Sequence, residues 1–202
     1  MSEPRYRRRK EDRPGEIAEA AFSAFAEKGY TATRVDDVAR RAGVSKGLMY
    51  LYYKTKEDLF KAVIKNVVVP RVDAITAEVD RTTLSAEEFI RGPLRGFLKH
   101  LPGSRISVVV RLMISEGHRH PELVEFYWNN VIAKGLTSIS GILERGISAG
   151  EFRRTPVTEN PQLLVAPALF AVIWKLVFVQ HPLDSDTLID AQIDMILEQI
   201  RA

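Results

Sequence analysis

No cysteine occurs anywhere in the 202 residues. That excludes disulfide frameworks, thiolate nucleophiles and cysteine-ligated zinc or iron–sulfur centres, and it fits a reducing cytoplasm. Redox chemistry would need a bound cofactor, and nothing in the sequence calls for one. Glycine-rich phosphate loops, nucleophile elbows and paired-carboxylate motifs are missing too, so an enzymatic reading has no motif to start from. There is no sustained period-2 alternation bounded by turn residues, which leaves no strand pattern. Internal repeats and low-complexity linkers are also absent. The amino terminus, MSEPRYRRRKEDRPGE, has no apolar stretch behind it, so no secretory signal is expected.

What is present is 46% hydrophobic residues, ample for a buried core at this length. The apolar positions recur at helical spacing nearly throughout, so the expected fold is all-α with about nine helices. The first is predicted over about 14–28, with Ile17, Ala21 and Phe25 on one face and Gly29 as its stop. Two short helices follow, over 35–42 and 46–53, separated by a turn at 43–45. Thr55 caps a long helix running to about Val79, bent or broken at Pro70. Ser85 with Glu88 forms a capping box for a helix ending near His100. Further helices are expected over 104–117, 121–149, 161–180 and 184–200.

The penultimate helix is apolar at every position from Leu163 to Val179 except Lys175. It contains Pro167, is short for a span and lacks a strong basic flank, so it is not expected to cross a membrane. A helix apolar all round is expected to be buried on every side. The last helix carries Ile189, Ile193, Ile196, Leu197 and Ile200 on one stripe, with Asp190, Asp194 and Glu198 opposite. Two consecutive helices of this kind suit a bundle between two subunits.

Net charge is +3, and its placement matters more than its size. Residues 1–60 hold 13 Lys and Arg against 10 Asp and Glu, whereas residues 61–202 hold 16 of each sign. The excess therefore sits at the amino-terminal end, as a nucleic-acid-facing surface or a solvated basic tail would have it. Part of it is the run RYRRRK, residues 5–10. That run reads as a free solvated end or as an arm along a DNA minor groove.

The segment 35–53 carries a mechanism. VDDVARRA, a Gly-Val-Ser turn and a second short helix make the helix-turn-helix pattern. Val38, Ala39, Val44 and Met49 are the contacts that would lock these two helices against the first one, and Ala39 is small where the helices cross. Ser45 would cap the second helix and leave first-turn amides facing outward, where a DNA phosphate can bind.

Here the sequence resembles the tetracycline-repressor (TetR) family of bacterial transcription regulators. The match runs from Ala20 to Phe60, AAFSAFAEKGYTATRVDDVARRAGVSKGLMYLYYKTKEDLF, about the first third of the chain. The resemblance implies a three-helix DNA-binding domain over 1–58 and a larger helical effector-binding and dimerisation domain over 59–202. It implies that the second helix of the motif enters the major groove of double-stranded DNA. Lys46, Leu51 and Tyr52 are then candidates near base edges. Gly47 allows close backbone approach, and Tyr50, Lys56, Thr33 and Arg34 position the phosphate backbone. Tyr53 falls where the family usually buries a phenylalanine. Leu48 stands where many members have a threonine or another small residue, and it either touches a thymine methyl or packs inward.

The resemblance further implies a homodimer through the last two helices, with recognition helices about 34–36 Å apart or a multiple of that. It also implies a cytoplasmic regulator released from a palindromic operator by a small hydrophobic or aromatic effector, the alternatives being a DNA-binding protein of the same fold without an effector or an all-helical enzyme. Phe97, Met113, Tyr127, Trp128, Phe170 and Trp174 are candidate walls of the effector pocket, with His100, Arg111 or Glu116 as polar anchor. Glu116, His118, His120 and Glu122 could be imagined as metal ligands, but they fall at a helix junction where polar residues are expected anyway, so no metal is assigned.

Overall fold

The computed structural model describes residues 5–202, with side chains from Arg13 onward. The side chains of the basic run at 5–10 lie outside the described residues. The fold is all-α and comprises nine helices among the described residues. They are α1 (Arg5–Ala32), α2 (Val35–Arg41), α3 (Lys46–Tyr52), α4 (56–81), α5 (86–100), α6 (Arg105–Glu116), α7 (121–148), α8 (Gln162–Val177) and α9 (Ser185–Ile200). Helix α4 consists of Lys56–Val67 and Val69–Arg81, and the break falls at Val68. That lies two residues before Pro70, whose ring crowds the preceding turn and which has no amide to donate. Helices α5 and α7 each contain one π-helical turn, at Ile90–Leu94 and Trp128–Ile132, the first of them around Pro93. None of the helices among the described residues is long and apolar enough to cross a membrane.

Helix α1 starts at Arg5, well before the expected Pro14, which lies inside it. Its regular part stops where expected: Gly29 has φ 78° and ψ 170°, a conformation open to glycine and strained for other residues. One more helical turn follows to Ala32.

The chain divides into two compact units, Met1–Val69 with Leu112–Tyr127, and Pro70–Arg111 with Trp128–Ala202. In the first unit, α1 lies along the Lys56–Val67 segment of α4. Ile17, Ala21 and Phe25 of α1, and Leu59, Phe60, Val63 and Ile64 of α4, are fully buried. The rings of Phe25, Tyr30 and Phe60 close a triangle with centroids 5.4, 5.6 and 5.4 Å apart. Edge-on aromatic pairs add about 0.5–1.5 kcal/mol each beyond the area they bury.

The second unit is built around one core. Phe89, Ile90 and Leu98 of α5, Ile142 and Leu143 of α7, Leu164 and Ala168 of α8, and Ile189, Ile193 and Leu197 of α9 all contribute to it. Helix α5 has the expected capping box, with Ser85 Oγ accepting from Glu88 N and the Glu88 carboxylate accepting from Ser85 N. The Glu151 carboxylate adds to this cap by accepting from the amides of Ala86 and Glu87, each at 3.1 Å. The acidic stripe of α9 is not simply solvated, because Asp194 pairs with Arg91 at 2.5 Å and Asp190 with Lys99 at 2.6 Å. Helix α8 departs from the expected all-round burial. Leu164, Ala168, Ala171 and Val172 face the core, but Leu169, Phe170, Ile173 and Val177 are exposed.

A Cβ added at Gly146 of α7 would lie 2.3 Å from the Phe152 ring and 2.8 Å from Ala86 Cβ. Gly146→Ala is therefore expected to destabilise the protein by about 1–3 kcal/mol, as overpacking does, and to lower the thermal midpoint. Gly135→Ala, on the same helix with open space around it, is the control and should hold or raise that midpoint.

The guanidinium groups of Arg201 and Arg91 hold the Glu87 carboxyl down, from the ordinary 4.5 to about 2. A carboxylate lowered on folding stabilises the fold above its unfolded value, and that stabilisation is lost as pH falls through the folded one. Stability should therefore drop between pH 4.5 and about 2. In Glu87→Gln that drop should shrink by less than about 1 kcal/mol in acid-titrated melts, because the network lies near the surface.

Candidate nucleic-acid interface

Helices α2 and α3 are seven residues each, so their ends matter as much as their middles. Helix α2 closes on Gly43, whose φ of +64° lies in the left-handed region. The Gly43 amide bonds to Arg40 O at 3.2 Å and the Val44 amide to Ala39 O at 3.0 Å, the paired bonds of a Schellman ending. Two residues on, Ser45 Oγ accepts from Leu48 N and starts α3. Val38, Ala39 and Met49 are buried, as the locking role requires, while Val44 is half-buried. At the far end of α3, the half-buried Tyr53 donates its hydroxyl to Pro14 O at 3.0 Å, tying the motif to α1.

With Met49 turned inward, the opposite face of α3 carries Lys46, Gly47, Tyr50 and Leu51, spaced so that all four share one side of the helix. All are exposed, Leu51 to 72% and Tyr50 to 41%. Nothing in the fold lies within 4 Å of a Cβ added at Gly47, so internal packing does not require a glycine there. Lys46 Nζ donates to Asp36 Oδ2 of α2 at 3.0 Å and lies 6.0 Å from the centre of the Tyr50 ring. That hydrogen bond to Asp36 raises the lysine pKa. Ser45 at the start of α3 and Arg34 ahead of α2 are exposed, and Tyr52 and Leu48 of α3 are half-buried.

Two expected contacts have other work. Thr33 is 1% exposed, and its hydroxyl donates to Gly29 O at 2.7 Å and Ala24 O at 3.2 Å. Its side chain thus closes the end of α1 and has no surface to give a phosphate. Lys56 Nζ donates to Tyr30 O at 3.0 Å and Thr31 O at 3.1 Å and sits 4.5 Å over the Tyr30 ring. Burial draws its pKa down, with Glu116 pulling the other way.

Sequence reasoning missed Asp36, although an acidic first turn in α2 was visible as Asp36-Asp37. It also missed Thr31, whose hydroxyl donates to Glu116 Oε2 at 2.6 Å. No local pattern signals a contact across 85 residues.

The residues expected to line one effector pocket are dispersed. Phe97 and His100 border an open cleft of about 390 Å³ in the second unit, with Arg71, Ile75, Glu78 and Ile106. Arg111 lies outside that lining. Met113, Glu116 and Tyr127 belong to the first unit, where Glu116 is engaged by Thr31 and burial pushes the Tyr127 hydroxyl up to about 12. Trp128 is 48% exposed. The Trp174 ring lies tilted between those of Phe170 and Phe178, at 5.7 and 4.6 Å, with Phe170 and Phe178 exposed and Trp174 half-buried. No group of three or more His, Asp or Glu side chains among the described residues is placed to hold a metal ion. His120 instead lies edge-on to Tyr30 at 4.7 Å, with its Nδ1 3.3 Å from Glu122 Oε1.

Residues 17–63 match the family described as bacterial regulatory proteins, tetR family, and residues 88–199 match the AefR-like transcriptional repressor C-terminal domain. The HTH-type transcriptional regulator HbdR of Aromatoleum sp. (strain CIB) is 37% identical over 169 residues, covering 82% of this chain and 70% of that protein. The fatty acid metabolism regulator protein of Bacillus subtilis (strain 168) is 29% identical over 139 residues, covering 68% and 70%. The transcriptional regulator FadR from Bacillus subtilis, solved in complex with stearoyl-CoA, shares the fold with a TM-score of 0.74 at 24% identity, over 93% of this chain and 99% of that one. The helix-turn-helix and a carboxy-terminal match spanning more than half of the chain lead to one assignment: the chain belongs to the tetR family, as a DNA-binding transcriptional regulator and not an enzyme.

Proposed function

We propose that this regulator is a cytoplasmic homodimeric repressor that leaves a near-palindromic operator when a fatty-acyl effector binds. The observation that carries the DNA-binding half is the single outward face of Lys46, Gly47, Tyr50 and Leu51 on a helix whose other side is buried. In this reading Lys46, Tyr50 and Leu51 meet base edges or the adjoining phosphates, and Gly47 lets the backbone come close. Ser45, Arg34 and Tyr52 contact the flanking phosphate backbone. Lys56 acts indirectly, by holding the end of α1. Residues 1–58 read DNA, and residues 59–202 bind the effector and the second subunit.

Dimerisation is assigned to α8 and α9. Leu169, Phe170, Ile173 and Val177 form an exposed apolar row at helical spacing on α8, and Met195 of α9 is 58% exposed. A row of that kind belongs against a partner surface. The effector is assigned to the cleft beside Phe97 and His100. Its apolar walls suit an acyl chain, and Arg71 and His100 at its border suit an anionic headgroup. Similarity to a fatty acid metabolism regulator, and a fold shared with a regulator solved in complex with stearoyl-CoA, support an acyl ligand. The cleft is bordered by Arg71, Ala74, Ile75 and Glu78, all on the second segment of α4. An effector there would act on the helix that continues from the first segment, and a tilt of α4 would change the spacing of the recognition helices.

Selection of bound fragments from genomic and random DNA pools is expected to enrich a palindrome with half-sites one helical turn, about 34–36 Å, or a multiple apart. Stearoyl-CoA titrated onto the selected duplex at fixed salt should then release the protein. Failure to enrich any palindrome would overturn the operator reading, and unchanged affinity with acyl-CoA would overturn the effector reading alone.

Ile173→Glu places a charge in the exposed row of α8. It is expected to convert dimers to monomers in sedimentation and to weaken operator binding while leaving the helical content intact. A dimer that survives this substitution would move the interface elsewhere.

A further inference from the structure

Asp36 stands in the first turn of α2, and its carboxylate accepts from Lys46 Nζ at 3.0 Å. The two residues come from different helices, and the closed turn at Gly43 sets the distance between them. The pair is open to solvent, with the lysine side chain 64% and the aspartate side chain 53% exposed. The same ammonium lies 6.0 Å from the centre of the Tyr50 ring, so it rests on two supports on the outward face of α3. The neighbouring Asp37 is held differently, 3.4 Å from Lys28 and 3.4 Å from Arg40. Asp36 therefore sets a negative charge directly beside a lysine of the face assigned to DNA.

A lysine free in solvent lends its charge to any phosphate, whatever the sequence, and each such contact releases a counterion. Lys46 is not free in that sense. To reach a phosphate it must share its charge with Asp36 or leave it, and in either case the carboxylate then faces a polyanion. An exposed ion pair is weak, so well-placed acceptors can break it. Poorly placed phosphates gain little by doing so. We propose that Asp36 is a specificity-determining residue, whose carboxylate holds Lys46 back from sequence-independent phosphate binding and so weakens binding to random DNA more than to the operator. The proposal rests on the reading that α3 faces DNA. Specificity is a difference of affinities, and a built-in repulsion against wrong partners widens it.

The test compares wild type, Asp36→Asn, Lys46→Ala and the double variant on a selected operator duplex and a random-sequence duplex of equal length, across a salt series. Asp36→Asn is expected to raise affinity for random DNA about threefold and to steepen the slope of log K against log salt by about 0.9, one extra counterion. The operator should gain less, so the ratio of the two affinities falls. In the Lys46→Ala background, Asp36→Asn should leave the slope unchanged. Thermal midpoints should agree across the set, which separates this effect from a folding defect. The proposal is overturned if Lys46→Ala weakens binding but Asp36→Asn alters neither slope nor ratio. It is also overturned if the gain persists undiminished without Lys46, since the carboxylate would then act by general repulsion. If Lys46→Ala leaves both duplexes unaffected, the placement of Lys46 on DNA fails, and the proposal fails with it.

Discussion

A seven-residue helix does not hold itself together in water, because nucleating it fixes several residues for very few hydrogen bonds. Both helices of the helix-turn-helix are of that length, so their conformation and direction must come from their surroundings. The support is the apolar seam of α1 and the first segment of α4, where Ile17, Phe25, Phe60 and Ile64 are fully buried. Val38 and Met49 bury one side of each short helix, the ending at Gly43 sets the angle between them, and Tyr53 ties the far end of α3 to Pro14. With the inner side committed, the outer side of α3 has no freedom in what it presents.

The end of α1 explains why several polar residues near the motif do not face outward. A helix end leaves carbonyls without partners, and partly buried carbonyls must find donors. Thr33 serves Gly29 and Ala24, and Lys56 serves Tyr30 and Thr31. Glu116 accepts from Thr31, and the His120 ring closes over Tyr30. The last helical turn of α1, directly ahead of α2, is thus held from several sides. Residue types that suit phosphate contact also suit helix termination, and the local sequence does not distinguish the two uses.

Apolar surface divides in a similar way. Leu164, Ala168, Ala171 and Val172 of α8 are buried, whereas Leu169, Phe170, Ile173 and Val177 of the same helix are exposed. All eight look alike in a hydropathy plot. Aromatic residues selected as pocket walls scattered for the same reason, since Phe97 borders the cleft while Phe170 is exposed on α8 with the half-buried Trp174 beside it.

Local chemistry was enough to read the helical class, the stop at Gly29, the capping box at Ser85, the caps at Ser45 and Thr55, the inward roles of Val38, Ala39 and Met49, and the motif that carries the family. These depend on backbone conformation and hydrophobic spacing within a few residues, where the sequence is its own context. What only the tertiary structure decided was the partner of each versatile side chain: Thr33 inside, Lys56 on the end of α1, Glu116 on Thr31, and Lys46 on Asp36. Hydrogen bonds and ion pairs form with whatever the fold brings within about 3 Å, and sequence spacing does not encode that proximity across helices.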